Sequence, residues 1–162
     1  MLSKKTKYGI KAITFIARQE NNNPVQIATI SKSENISHKF LESILLILKN
    51  AGFLGSKKGK GGGYYLLKEP KDIFMTDIIR RLEGPIAMVP CVSLNYYEKC
   101  DDCPDEETCS VHKLMIQVRD STLKALKNNT DKMEIIIFFM FIIFPSLIYL
   151  GKENILKRKN QI

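Results

Sequence analysis

The chain has 162 residues, of which 44% are hydrophobic and 26% are charged, and this balance excludes a disordered or collagen-like class. Its net charge of +8 is unevenly divided, because residues 1–68 hold 12 Lys and Arg against 3 Asp and Glu, whereas residues 69–112 hold 4 against 10. The division favours a polyanion-binding module joined to a segment with another task; chance variation of surface charge is the alternative.

The start of the chain carries no secretory signal, since polar and basic residues follow Met1 and Leu2. We therefore expect a cytoplasmic protein, in which four cysteines more often indicate metal or redox chemistry than disulfides. No nucleophile motif and no plausible carboxylate pair is visible, so the sequence predicts no enzyme.

Apolar residues at helical spacing predict two helices at the start of the chain. The first runs from Ser3 to about Arg18. The second runs from Val25 to about Glu34, with Ala28 on its inward face. The run Asn21-Asn22-Asn23-Pro24 marks the loop between them.

A third helix and a hairpin follow after a short break. The helix runs from Ser37, its expected N-cap, to Asn50, and Phe40 is assigned to its core face. Apolar stretches at 53–54 and 64–67 flank a basic, glycine-rich turn, which predicts a β-hairpin. This is the element order of a winged helix-turn-helix, so we predict a mainly α fold with a small β-hairpin wing (α+β).

The remaining chain predicts a short helix from Thr76 to Leu82, a loop that carries all four cysteines, and a long helix from about Ser110 to Asn128. The long helix has one apolar stripe and a length of about 28 Å, enough for a dimerisation arm. We therefore divide the chain into a winged helix-turn-helix domain (1–85), a sensor loop (86–109), a dimerisation helix (110–132) and a hydrophobic tail (133–162).

The third helix and the hairpin together predict a DNA-binding surface. In a winged helix the N-terminal turn of the recognition helix faces the major groove, where Ser37, His38 and Lys39 supply donors. Glu42, one turn on, can accept a hydrogen bond from a cytosine amino group. The glycine-rich turn can approach phosphates or the minor groove while its lysines neutralise charge. The residues of this turn are Lys57, Lys58, Lys60, Gly61, Gly62 and Gly63. Taken singly, the glycine-lysine turn is also typical of a solvated loop, and His38 of an ordinary surface residue.

Four cysteines fall within 19 residues: Cys91, Cys100, Cys103 and Cys109. On an acidic loop, such thiols can converge on a soft metal or an iron–sulfur cluster. Their spacing is not that of a zinc ribbon, because only Cys100 and Cys103 form a Cys-x2-Cys pair. Spacing alone leaves three alternatives open: a cluster or metal, thiol redox sensing, and inert cysteines.

The tail contains an apolar segment, 135–150, without a charged residue. Its length falls short of the ~20 residues that span a bilayer, and Pro145 interrupts it. There are three alternative interpretations of this tail. It contacts a membrane through 135–150, it packs as an extra helix, or it is an altered reading frame appended to the gene. We favour the last, because the composition changes abruptly near residue 132.

Four segments of the chain, 36–42 (ISHKFLE), 48–54 (LKNAGFL), 60–64 (KGGGY) and 82–85 (LEGP), stand in the order of one known family. They resemble the winged-helix iron–sulfur cluster regulators and nitric-oxide-sensing repressors of the IscR and NsrR type, over roughly residues 1–130. The resemblance implies a homodimer that reads a pseudo-palindromic operator in double-stranded DNA. Tyr65 stands where many relatives carry arginine, so we expect one fewer phosphate contact there.

The same resemblance implies that Cys91, Cys103 and Cys109 bind an iron–sulfur cluster, of the 2Fe–2S or 4Fe–4S type. Cys100 is then the fourth ligand or an alternative to Cys103, and His112 stands where some members use a histidine ligand. We therefore expect a repressor whose DNA affinity is controlled by the cluster or by thiol redox state. The alternative is a membrane-attached metal-binding protein without sequence-specific DNA binding.

Overall fold

The computed structural model describes residues 2–127. The elements in this range are α1 (Lys4–Ala17), α2 (Ile27–Glu34), α3 (His38–Asn50), β1 (Leu54–Lys57), β2 (Gly63–Leu66), α4 (Met75–Leu82) and α5 (Ser110–Lys127). Short 3-10 turns lie at Glu20–Asn22, Pro70–Asp72 and Pro90–Val92. This order confirms the predicted winged helix-turn-helix architecture. The tail 133–162, with its segment 135–150, and the predicted helix beyond Lys127 lie outside the described residues.

The first helix contacts four other elements, α2, α3, α4 and β2. Its buried face includes Gly9, at which an added Cβ would lie 2.2 Å from Leu82 Cδ1 and 3.3 Å from Ile44 Cγ2. Both neighbours are fully or almost fully buried. Glycine at this position therefore allows α4 to pack closer to α1 than a side chain would permit. The helices share one core, whose buried side chains include Ile13, Ile16, Ile30, Leu41, Leu45, Leu48 and Ile78.

The N-terminus of α1 is tied to the C-terminus of α4 by one carboxylate, that of Glu83. Its Oε2 accepts hydrogen bonds from the Ser3 N–H at 3.0 Å, the Ser3 hydroxyl at 2.7 Å and the Thr6 hydroxyl at 2.5 Å. The Thr6 and Ser3 hydrogen bonds lower the pKa of Glu83 from 4.5 to about 2. The carboxylate also lies at the positive end of the α1 dipole, where negative charge is favoured.

Two predicted features of α2 and α3 differ from the observed ones. α2 begins at Ile27 and not at Val25, because Val25 pairs with β2, and Ala28 is exposed where it was expected inward. Phe40 keeps 37% of its surface exposed and meets Tyr8 edge-on, with ring centroids 5.9 Å apart, instead of entering the core.

The wing, which is the hairpin of residues 54–66, differs from its prediction in the length of its first strand. β1 runs from Leu54 into the polar residues up to Lys57, so the ladder is longer than the apolar stretch alone indicated. The strands are antiparallel and pair Leu54 with Leu66 and Lys57 with Gly63.

Within residues 2–127, no helix combines the length and the apolar character that crossing a bilayer requires. The alternative of a membrane-attached protein depends on segment 135–150 and stays a hypothesis about that segment.

Glu83→Gln is expected to destabilise the protein most above pH 4.5, with the difference from wild type shrinking as the pH falls toward 2. The reason is that a carboxyl whose pKa is lowered on folding stabilises the fold above its unfolded pKa, and this is lost through its folded pKa. Urea unfolding of both proteins across this pH range measures the effect. Glu69→Gln, at a cap position without a side-chain hydrogen bond, is the control. A pH-independent difference would contradict the prediction.

Candidate functional site

The turn between α2 and α3 is built by a left-handed residue and two hydrogen bonds. Asn35 ends α2 with φ 52°, a conformation that Asn adopts more readily than most residues. The Ile36 N–H donates to the Ser31 carbonyl at 3.0 Å, and the Ser31 hydroxyl donates to the Ile36 carbonyl at 2.6 Å. Ile36 itself is buried, with 3% of its surface exposed. The angle between the two helices is therefore set by core packing as well as by the backbone.

The first turn of α3 presents polar side chains to solvent. Ser37, His38, Lys39 and Glu42 are all exposed. Ser37 is the N-cap as predicted, but its hydroxyl makes no cap hydrogen bond within the described part of the chain. That hydroxyl is consequently free to serve an external partner, as the backbone N–H groups at a helix start also are.

The tip of the wing combines exposed ammonium groups with a tight glycine turn. Lys57, Lys58 and Lys60 are exposed, and so is Gly61, which has φ 80°. Gly62 is instead buried by its own turn, where an added Cβ would lie 2.3 Å from the Lys57 carbonyl oxygen. Of the predicted glycines, Gly61 is thus the one that the turn leaves open to a ligand.

The base of the wing is fixed to the loop after α1. The Val25 N–H and carbonyl exchange two hydrogen bonds of 2.8 Å with Tyr64. The Asn22 side-chain amide makes the two hydrogen bonds that the backbone of a paired strand residue would make. It donates to the Leu66 carbonyl at 2.8 Å and accepts a hydrogen bond from the Leu66 N–H at 2.9 Å. Gly63 permits this approach, because a Cβ there would lie 2.2 Å from the Val25 carbonyl oxygen. Sequence reasoning missed these contacts; the asparagine run before Val25 was their only signal.

Two tyrosines of β2 contribute to the same surface. The Tyr65 ring covers Gly55, where an added Cβ would lie 2.4 Å from the ring. Partial burial and, to a lesser extent, the charge of Glu42 raise the pKa of Tyr64. The charge of Glu42 in α3 thus acts on a side chain of the wing, and α3 also contacts β1 directly.

The four cysteines and His112 line one partly open cavity of about 440 Å³, called the cysteine cavity below. Cys91 lies in the 3-10 turn Pro90–Val92 and is buried, while the other three thiols are half-buried. One water molecule occupies about 30 Å³ in the liquid. The cavity is therefore large enough for a polyatomic group and not only for a single ion.

The thiols differ in their surroundings. The backbone N–H of His112, in the first turn of α5, donates to the Cys109 sulfur at 3.4 Å and lowers the pKa of Cys109. A hydrogen bond with Cys91 raises the pKa of Cys100, and partial burial followed by a hydrogen bond with Cys109 raises that of Cys103. Cys109 consequently reaches the thiolate form, which is the metal-binding form, more readily than Cys100 or Cys103.

The donor atoms that line the cysteine cavity determine which metal group it can hold. Within residues 2–127, no three His, Cys, Asp or Glu side chains already stand together as a metal site. Nδ1 of His112 is buried without a hydrogen-bond partner in the same range, and Glu106 Oε2 lies 4.0 Å away, within ion-pair range but too far for a hydrogen bond. Four soft sulfur donors and an unsatisfied imidazole nitrogen line this one cavity, and this set of donor atoms is of the kind that iron–sulfur clusters use.

The cysteine cavity is connected to the long helix at two points. Cys109 directly precedes α5, and its carbonyl accepts the Lys113 N–H at 3.2 Å. Farther along α5, the Arg119 guanidinium donates to the Val92 carbonyl at 2.7 Å, next to Cys91. Movement of the loop around the cavity would therefore shift α5 through these two contacts.

Comparisons with known proteins agree with this geometry. A family model described as Rrf2, iron-dependent transcriptional regulator, matches residues 2–130. A Rhodobacter capsulatus protein described as rrf2-like and HTH-type is 40% identical over 121 residues, which are 73% of this chain and 81% of that protein. The HTH-type transcriptional regulator CymR of Bacillus subtilis is 33% identical over 129 residues, or 80% of this chain and 85% of CymR.

Solved structures give the same result. CymR of B. subtilis, described as a global cysteine regulator, has a TM-score of 0.63 at 32% identity and covers 78% of this chain and 88% of its own. IscR of T. potens has a TM-score of 0.62 at 29% identity and covers 79% of this chain and 80% of its own. The matched relatives with a stated role regulate transcription, which confirms the expectation of a regulator and not an enzyme.

Asn22→Ala is expected to lower the free energy of unfolding by about 1–3 kcal/mol more than Asn21→Ala does, because two hydrogen bonds to Leu66 are lost. Asn21 and Asn22 share left-handed backbones with φ 56° and 52°, so strain from alanine is common to both variants. Urea unfolding measures the difference. Equal destabilisation of the two variants would show that the amide does not hold the wing.

Proposed function

Because the chain belongs to the Rrf2 family of transcriptional regulators, we propose that it is a repressor that binds double-stranded DNA with α3 and the wing. The observation that carries this proposal is the exposure of two polar surfaces on one winged domain, the first turn of α3 and the lysine-bearing tip of the wing. Its affinity for DNA depends, in this proposal, on the state of the cysteine cavity.

The two surfaces have different tasks in DNA binding. Ser37, His38 and Lys39 donate to base edges or phosphates in the major groove, and Glu42 accepts from a cytosine amino group. Lys57, Lys58 and Lys60 neutralise phosphates and supply most of the salt-dependent part of the affinity, and the open backbone at Gly61 lets the tip come close. Since Asn22 and Val25 hold the wing against the body, both surfaces meet the duplex as one unit.

A second copy of the chain completes the DNA-binding unit. α5 has no buried side chain in the part of the chain that the structure describes, and Val111 and Leu114 keep 55% and 54% of their surfaces exposed. An apolar stripe on a helix of this length suits pairing with its symmetry mate. Two copies related by a twofold axis would read a pseudo-palindromic operator, with one half-site each.

The cysteine cavity holds the regulatory group. Cys91, Cys103 and Cys109 are proposed as ligands of an iron–sulfur cluster, with Cys100 or His112 as the remaining donor. Bound there, such a cluster supplies an iron centre that responds to oxidants. The iron-dependent description of the matching family supports this proposal, as do the four sulfur donors around one cavity.

Thiol redox sensing without a metal is the second candidate. All four thiols line the same cavity, and within residues 2–127 none of them is in a disulfide. CymR of B. subtilis, one of the relatives, is described as a global cysteine regulator.

The link from the cavity to DNA runs through α5. Cys109 contacts the start of this helix, and Arg119 connects its middle to the turn that carries Cys91. A group that draws the cysteines together would stabilise one orientation of α5, and with it one spacing of the two recognition helices. The change in DNA affinity equals the difference in stabilisation between the two arrangements.

Replacing Lys57, Lys58 and Lys60 by alanine together is expected to weaken DNA binding and to flatten its salt dependence. Each lost phosphate contact lowers the slope of log K against log salt concentration by about 0.9. Fluorescence anisotropy with an operator selected from random duplexes, at several salt concentrations, measures the slope. Lys71→Ala, an exposed lysine outside the wing, is the control. An unchanged slope in the triple variant would remove the wing from the interface.

Replacing Cys91, Cys103 or Cys109 by alanine is expected to abolish iron and sulfide uptake during anaerobic reconstitution, because a sulfur ligand is lost. The fold and the operator affinity of the metal-free protein should remain. Iron and sulfide analysis and the visible spectrum report uptake, and Thr108→Ala, in the wall of the same cavity, is the control. If wild type took up no iron while mild oxidation changed its operator affinity, the second candidate would replace the cluster.

A further inference from the structure

A second cavity, of about 490 Å³, lies where the winged domain meets the segment after Cys91. Its volume falls within the range of about 300–1,000 Å³ that is usual for small-molecule sites. Three cationic side chains line it, Lys68, Arg80 and Arg81. We propose that this cavity, called the anion cavity below, binds a small organic anion with carboxylate or phosphate groups as an effector.

The charge around the anion cavity is unbalanced. Its three cations face one carboxylate, that of Asp77, which lies 3.6 Å from Arg80 on the same helix. Among residues 2–127, no ion pair engages Lys68 or Arg81. A concave surface lined by one sign of charge concentrates ions of the other sign. A guanidinium group also offers paired donors that match a carboxylate or phosphate.

Stabilisation of a helix end explains only part of this cluster of cations. Arg80 and Arg81 lie in the last turn of α4, where positive side chains stabilise the negative end of the helix. This accounts for the two arginines of α4, but not for Lys68, which lies in the segment just after the wing and lines the same cavity. Cations from two separate elements thus converge on one concave surface.

The anion cavity lies away from the proposed contact with the operator. The cavity wall includes Ala51, which caps the C-terminal end of α3, whereas the proposed DNA contact is made by the first turn at His38. A helix of this length places its two ends about 18 Å apart. The wall also carries the Asn95 amide and the Tyr96 ring, which offer hydrogen bonds and an apolar surface to an organic ligand.

The position of the anion cavity gives its ligand a route to regulation. Arg80, Asn95 and Tyr96 also line a narrow cleft that reaches Leu123 of α5. An anion held by Arg80 and the Asn95 amide would therefore connect α4 to the segment after Cys91 and to the long helix. A ligand that favours one arrangement of these parts changes operator affinity by its own difference in affinity for the two arrangements.

Calorimetric titration of the full chain with inorganic phosphate and with succinate, at constant ionic strength set by chloride, tests the proposal. We expect saturable binding of at least one probe, weakened about tenfold or more by Lys68→Gln and by Arg81→Gln, since each removes a charged donor. The probe that binds more tightly distinguishes a phosphate from a carboxylate ligand. Lys71→Gln, an exposed lysine outside the cavity wall, should bind as wild type does.

Two results would overturn the proposal. One is the absence of saturable binding with both probes, or equal binding by Arg81→Gln and Lys71→Gln. The other is an operator affinity that the saturating probe leaves unchanged, or changes equally in wild type and Arg81→Gln, which would exclude an effector role. Operator affinity is first measured without probe, so a failure of the proposed DNA binding is recognised separately.

Discussion

Close packing of α1 against α3 and α4 is the constraint on which the other parts of the molecule depend. Gly9 lets Leu82 approach to a distance that a β-carbon would not permit and leaves Ile44 little spare room, and the Glu83 carboxylate links α1 and α4 at the end of α1. The loop that leaves α1 then holds the wing through Asn22. The recognition helix, the wing and the short helix before the cysteines are therefore all positioned against one helix.

Periodicity in the sequence predicted the helices well but the wing less well. Amphipathic spacing located α1, α3, α4 and α5 to within a few residues, because a buried stripe at helical period is a property of the sequence itself. The first strand of the hairpin was predicted too short, since Gly55 has no side chain to signal a strand and is covered by Tyr65 from the partner strand. Val25 was assigned to a helix because its pairing with Tyr64 is a tertiary contact that leaves no local pattern.

The functional residues were predictable as types and only partly as an arrangement. The cysteine spacing and the resemblance identified the sulfur donors, and the structure brings all four around one cavity with His112. Sequence could not show that Cys109 accepts a hydrogen bond from the first turn of α5, or that Arg119 reaches Val92. Both contacts join residues through the fold. The cations of the anion cavity were missed for the same reason, since Lys68 and Arg81 belong to separate elements.

Both cavities border the segment from Cys91 to Tyr96. In this arrangement, small differences in ligand affinity at either cavity can shift the position of α5. Within residues 2–127, α5 buries none of its side chains, and its described contacts are with α4 and the turn that carries Cys91. An element with few buried contacts to its own subunit changes its position relative to that subunit at a low cost in free energy. A ligand shifts the equilibrium between two positions of α5 only by the difference in its affinity for them. Modest differences at the two cavities can therefore add to a larger shift. The winged domain, by contrast, has a shared core that resists distortion. In the proposed mechanism the rearrangement therefore falls on α5, while the surfaces proposed to bind DNA keep their shape.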